Sequence, residues 1–474
     1  MTRKVPALGL IFFLVGVPVA AWAQDKPPNR IVSEKLIAKI HPSSVAWSVA
    51  WSVKVSPDSK RVAYVAGEGN KWFVVVDGKE GKEYDDIGAG TPIFSPGSHR
   101  VAYVAKVGNK RFVVVDGKEE KHYDGVLENT PIFSPDSRRI AYGAQAGDKW
   151  FVVVDGNEEK LYDGILKNRL IFSPNSQRVA YGTGVGNKRF VVVDGNEEKH
   201  YDVISTSAGP SGLIFSPDSQ RVAYVARESD KWFVVVDGKE EKQYDAIAEG
   251  TPTFSPDSNR LAYGAVAGKN WFAVVDGKEE KPHDGIIKDS LLFSPDSRRI
   301  AYGAQAGDKW FVVVDGKEET QYDGIGASGL IFSPDSQRVA YIAREGKKWF
   351  VVVDGKEEKR YDAIVKGTPI FSPDSQRVAY AAQVDNKQFV VLDGKEETQY
   401  DLIVEGTPIF SPDSKRVAYE AEVGNKWFVV VDGKEGRKYD EIVGEYRIVF
   451  DRPDSFHYLV LKDKGFYLVE ERIE

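Results

Sequence analysis

The 474-residue chain has no cysteine. Disulfides, thiolate metal sites and a cysteine nucleophile are therefore excluded, which suits an exported protein that needs no redox care. Its six histidines, His41, His99, His122, His200, His283 and His457, fall at unrelated positions. No H-x-x-x-H or HExxH spacing occurs, so the usual zinc signatures are missing. No G-x-S-x-G nucleophile elbow occurs either. No run is long or periodic enough for a helix. The formal charge is −7 with both signs interspersed. Nucleic acid would demand a basic stripe, and none is present.

The one long apolar stretch, about Val5 to Ala20, follows Arg3 and Lys4 and precedes Ala21-Trp22-Ala23. This order reads as a secretory signal peptide over residues 1–23, with the mature chain starting near Gln24 in the periplasm or outside the cell. An uncleaved membrane anchor is the alternative. No later segment is apolar enough to span a membrane. Removing Arg3 and Lys4 takes the formal charge from −7 to −9. Residues 24–33 read as a short flexible lead-in.

What fills the rest is repetition. FSPDSRRIAYGAQAGDKWFVVVDG runs from Phe133 to Gly156 and recurs letter for letter from Phe293 to Gly316. Turn prolines from Pro57 to Pro412 mark ten copies at a step of 39 residues, broken once by a step of 43 between Pro174 and Pro217. An eroded eleventh copy follows at Pro453. A period of this size signals a repeat architecture.

Each copy holds four short runs separated by turn residues. In the copy from Thr91 to Asp124 they are TPIFS, RVAYVA, RFVVVD and KEEKHYD, taken as strands a to d. Asp-Gly after strand c predicts a tight hairpin. Strand c is apolar on both faces, so its sheet is covered on both sides. Strand b sets small Ala102 against bulky Val101 and Tyr103, as stacked copies would need. About six large buried side chains, at roughly 1.5–3 kcal/mol each, cannot offset a backbone entropy of about 1–2 kcal/mol per residue, so a lone repeat needs neighbours. Four-stranded antiparallel sheets stacked around an axis make an all-β propeller.

FSPDSRRIAY resembles the TolB-like, WD-repeat-like propeller repeat of bacteria, whose hallmark is a strand, S-P-D-G, a basic residue and an apolar strand. Here the fourth letter is Ser in nearly every copy. The resemblance covers nearly the whole chain after the leader and implies a propeller. The fold hosts enzymes, binding modules and scaffolds alike.

The ends complement one another. Glu34 to Ile40 reads as a strand d without a to c, and about Tyr446 to Glu470 as strands a to c without d. One ring of about eleven blades, closed by the N-terminal outer strand, is expected over residues 34–474. Two rings of five and six blades, divided at Val203 to Leu213, are the alternative.

Positions shared by ten copies cannot form one active site and are read as structural: Arg139, Tyr142, Phe151, Asp155 and Gly156 in the third copy, with Arg139 expected beside Asp155. Asp58 should bond backbone N–H groups in its own turn. Asp77 and Glu80 lack the acidic spacing of a calcium loop. Trp72 and its equivalents are replaced by Arg111, Arg189 and Gln388, which suits a rim residue packing between blades or stacking on a ligand. No copy carries a distinctive acidic insertion, and no cofactor is implied.

The a–b and c–d turns share one face and hardly vary. The b–c loops and d–a connections are expected on the other face, where copies differ at Lys106, Gln145, Arg227, Glu228, Arg344, Glu345 and Glu422, and at Glu128, Lys167, Arg169, Lys288 and Asp289. Loops on a rigid scaffold are where binding usually sits. The expected function is a non-enzymatic scaffold binding a protein, peptide or cell-envelope glycan there. A hydrolase or lyase in the axial pocket, and a purely structural envelope protein, are the alternatives.

Overall fold

The computed structural model describes residues 30–41, 52–205, 212–327, 329–444 and 448–474. The leader, most of the lead-in and the centre of the 203–213 joint lie outside these residues. Every element among them is a strand.

Blade 3 shows how the repeat folds. Strands b (Ile140–Ala146) and c (Lys149–Val154) pair from Ala141 with Val154 to Ala146 with Lys149. Asp155 and Gly156 turn the chain with φ of 52° and 79°, the positive values a two-residue hairpin requires. Strand d is only Asn157–Glu158, followed by a lone bridge from Tyr162 to Trp150. Phe151 to Val154 are all buried, as the two-sided apolar pattern demands.

Strand a departs from expectation. It starts at once after the bridge of the preceding blade, as Gly125–Val126, and pairs with Gln145 and Ala144. It resumes as Ile132–Phe133, paired with Ala141 and Ile140. Between these halves the chain makes a turn, with Thr130 N–H bonded to Leu127 O at 3.3 Å. Leu127 to Asn129 therefore interrupt strand a; they do not connect d to a on an outer face. The period-2 signal of strand a is cut into two-residue pieces, too short to read.

The inserted turn also sets a size rule. A Cβ on Gly143 would lie 2.7 Å from Leu127 Cβ. In blade 2 the sizes reverse, and a Cβ on Gly88 would lie 2.9 Å from Val104 Cβ. In these two blades one large and one small residue fill the contact, because interiors tolerate neither void nor overlap; blade 6 uses two small residues, Ala248 and Gly264.

Blades stack face to face. Ala102, Val113 and Val115 of blade 2 meet Ile140, Tyr142, Ala144 and Phe151 of blade 3 in one buried cluster. The joint at the longer step is no exception: Ala180, Val191, Val193 and Tyr201 of blade 4 pack with Ile204, Leu213 and Tyr224 of blade 5. The chain does not divide into two rings there.

The ring closes as one. Arg30–Lys39 forms the outer strand of blade 11, paired antiparallel with Gly465–Ile473 from Arg30↔Ile473 to Lys39↔Gly465. Residues 30–33, expected in the lead-in, belong to this strand. Blade 11 then packs on blade 1 through Leu459, Phe466 and Leu468 against Val62, Tyr64 and Phe73. Eleven blades thus form a single ring.

Candidate functional site

The residues shared by all copies are occupied at the joints. At the joint between blades 3 and 4, Arg139 Nε donates to Asp155 Oδ2 at 2.8 Å, while Nη1 reaches Ser176 O at 3.2 Å and Gln177 O at 2.7 Å in the next blade. Its guanidinium lies 5.3 Å from the Phe172 ring centroid, within cation–π range. Asp136 accepts from Ser134 Oγ and Arg138 N–H inside its own turn, and its N–H donates to Ser176 Oγ at 2.9 Å. Ser176, in the fourth place of the turn, holds a φ of 67°, a region that favours glycine. Its hydroxyl is the reason for serine: it binds the preceding blade.

A second clamp sits on the opposite face. Asp124 accepts from Lys110 Nζ at 2.7 Å in blade 2 and from Gly147 N–H at 2.8 Å in blade 3. These two bonds hold its carboxyl below the usual carboxylate range. On the outer edge Lys121 reaches Glu158 at 2.7 Å, and Tyr123 donates to the same carboxylate at 2.9 Å. Burial, first, and this carboxylate push the Tyr123 phenol well up.

The variable residues fall into two groups, not one face. The first lies at the ends of strand b, on the b–c rim. Lys106, Gln145, Arg227, Arg344 and Glu422 pair across the hairpin with Arg111, Trp150, Trp232, Trp349 and Trp427. Arg227 and Arg344 stack over their tryptophans at 5.5 and 5.6 Å. Glu228 reaches Lys188 at 3.0 Å and Glu345 reaches Lys309 at 3.8 Å, each in the preceding blade. Trp150 is half-buried and packs against Tyr162 and Ile165, the interblade reading of this position.

The second group forms a collar around the axis. Asn129 Nδ2 meets Asn168 Oδ1 at 2.9 Å and Gly406 N–H meets Lys366 O at 3.3 Å, across successive blades. These turns interrupt strand a, the blade edge opposite the outer strand d, so they face the axis. A backbone spacing of about 5 Å, similar to that of neighbouring chains in a sheet, places them roughly 9 Å from the centre of an eleven-fold ring. Glu128 pairs with Lys167 at 2.7 Å and Lys288 with Glu249 at 2.6 Å, all well exposed. Asp289 takes a φ of 58° at a turn tip. Arg169 differs: it is buried, and its Nε donates to Ser205 O at 2.9 Å in blade 5. It braces the collar instead of facing the channel.

Below the collar, crevices open between successive strands a. One of about 400 Å³ is lined by Ile93, Phe94, Ile132 and Phe133 under the Gly90 and Asn129 turns. Another of about 510 Å³ is lined by Ile409, Phe410, Val449 and Phe450. Among the described residues no three metal-ligating side chains converge. The collar and Asp124 were missed as elements of the site. The exchange of large for small between Leu127 and Gly143, and between Gly88 and Val104, is the signal that could have placed the turns against strand b.

No protein-family model matches the chain, and no curated protein matches it. Among solved structures, a eukaryotic initiation factor is 12% identical, with a TM-score of 0.40, over 73% of this chain and 97% of that one. TolB from Acinetobacter baumannii is 16% identical, with a TM-score of 0.26, over 54% and 78%. The Dos1 propeller is 11% identical, with a TM-score of 0.33, over 65% and 91%. No functional argument rests on likenesses of this size.

Proposed function

We propose that this chain is an exported, non-enzymatic propeller scaffold that binds a protein, a peptide or a cell-envelope glycan through its b–c rim and its collar. One observation carries the reading. The residues that all copies share, such as Arg139, Asp155 and Asp124, are taken up by joints, while those that differ, the buried Arg169 apart, stand at the rim and on the collar. A rigid frame with varied side chains on one rim and one inner circle is suited to recognition. The basic start and Ala21-Trp22-Ala23 support export.

The reading is tested by capture from envelope extracts, using the chain from Gln24 onward and a rim variant carrying Lys106→Ser, Gln145→Ser, Arg227→Ser and Glu422→Ser. A partner should be held by the first and lost by the second. Capture of nothing, or equal capture by both, defeats the proposal. Secreted protein that still begins at Met1 would defeat the export part. A hydrolase or lyase in the channel has crevices of suitable size, but their walls are chiefly Ile, Phe and Pro.

A further inference from the structure

Nine successive joints, from blades 1–2 to blades 9–10, carry the arginine clamp, from Arg61 on Ser98 O and His99 O to Arg377 on Ser414 O and Lys415 O. At the seam between blades 11 and 1, imidazoles stand in its place. His457, only 1% exposed, has Nε2 at 2.7 Å from Asp58 O of blade 1 and Nδ1 at 2.7 Å from Asp451 Oδ2 of its own blade. A carbonyl and a carboxylate are both acceptors, and only the doubly protonated ring has two N–H groups to offer. His41, at the end of the N-terminal strand, places Nε2 3.2 Å from Glu80 Oε1 of blade 1.

We propose that this seam is a protonation-controlled clasp: proton uptake by His457, aided by His41, tightens blade 11 onto blade 1, and proton loss loosens it. With one proton, His457 must turn a lone pair toward one of its two acceptors, and a buried contact of that kind is costly. The closed seam therefore takes up a proton that the open one releases, so linkage makes closure favoured by acid and weakened as pH rises. The charged groups around His457 are Asp451, bonded to its Nδ1, Glu470, its partner across the strand pair, and Lys60, which lies 3.5 Å from Asp451. Glu80 faces His41, and the Tyr64 hydroxyl accepts from its backbone N–H. Among the described residues the adjacent joints hold no such imidazole bridge; the other buried imidazole is His283, whose Nε2 lies 3.4 Å from the Tyr302 hydroxyl between blades 6 and 7.

The experiment is amide hydrogen exchange on the chain from Gln24 onward between about pH 5 and 8, the interval in which histidines as a class change charge, corrected for intrinsic exchange rates. Protection of residues 30–39 and 455–473 should fall at least about tenfold relative to blades 8–9, which hold no histidine, as pH rises, the effect of one linked proton over about one pH unit. His457→Gln, which still donates one hydrogen bond, should fold with pH-independent seam protection. Histidine ring ¹⁵N spectra should show both nitrogens of His457 protonated at the acid end. A seam that tracks blades 8–9 at every pH overturns the proposal, as does a singly protonated His457 at pH 5. If His457→Gln fails to fold, the ring spectra and wild-type exchange still decide.

Discussion

Arg139 Nε lies 2.8 Å from Asp155 Oδ2 inside blade 3, and the same guanidinium holds the turn of blade 4. The ion pair aims the arginine, and the aimed arginine joins the blades. Arg139→Ala should cost about 1–3 kcal/mol, toward the lower end because the pair is about one-third exposed and screened by solvent. Arg416 bonds Asp432 of its own blade and, among the described residues, reaches no carbonyl of the next blade, so Arg416→Ala should cost less. Chemical denaturation of the two variants checks the order; equal losses would contradict the joint role.

Ser176 combines a φ of 67° with a hydroxyl that holds the preceding blade. Ser176→Ala keeps the backbone strain and loses the bond, and should destabilise by about 1–2 kcal/mol. Ser176→Gly relieves the strain and should be milder. An alanine variant as stable as the glycine variant would remove the interblade bond from the account.

Leu127 fills the space above Gly143. Gly143→Val should overpack this contact by about 1–3 kcal/mol, and adding Leu127→Gly should recover much of the loss, reproducing the Gly88 and Val104 pair of blade 2. A double-mutant cycle measures the coupling; additive losses would refute the size rule.

The turn aspartates set the acid limit. The Ser134 hydroxyl and the Arg138 N–H hold the Asp136 carboxyl below its usual range. The Ser255 hydroxyl and Asn259 bring Asp257 from 3.8 to about 2. A carboxyl lowered in the fold stabilises it above the unfolded-state value and loses that contribution as pH falls through the folded-state value. Because such turns recur around the ring, stability should drop steeply between about pH 4 and 2, and Asp257→Asn should make the drop shallower. Melting temperatures across this interval provide the check; a flat profile would count against it.

Deleting residues 24–40 removes the outer strand of blade 11 and bares the edge from Gly465 to Ile473. Lower melting temperature and concentration-dependent aggregation are expected, since open edges pair with other molecules. Unchanged melting and solubility would show that the strand is dispensable.

Much of this fold was legible because repetition multiplies weak signals. Asp155-Gly156 announced its hairpin, Phe151 to Val154 announced a sheet covered twice, and the complementary ends announced closure. Arg139 beside Asp155 followed from hairpin pairing. Three things did not follow. Strand a is two dipeptides around a turn, and no periodicity survives at that length. Glu128, Lys167 and Lys288 looked like a d–a connection on the face of the b–c loops because their register against strand b depends on Leu127 fitting over Gly143, a contact between strands. Arg169 looked like a binding residue because a charged letter in a variable turn reads as exposed, and only the fold brings the Ser205 carbonyl to it.

The pairing of Arg30–Lys39 with Gly465–Ile473 joins parts of the chain that are more than 400 residues apart, as in the 441-residue span from Arg30 to Glu471. The clamps elsewhere span 37 or 38 residues, as from Arg139 to Ser176 and Gln177, or 41 and 42 at the longer joint, from Arg178 to Ser219 and Gln220. Contacts of low sequence separation form first, since closing a long loop costs more entropy. Blades should therefore dock in order while the chain is still an open arc, and the circle should form in a single late step. Until then, the first strand of the fold to be synthesised waits unpaired for the last.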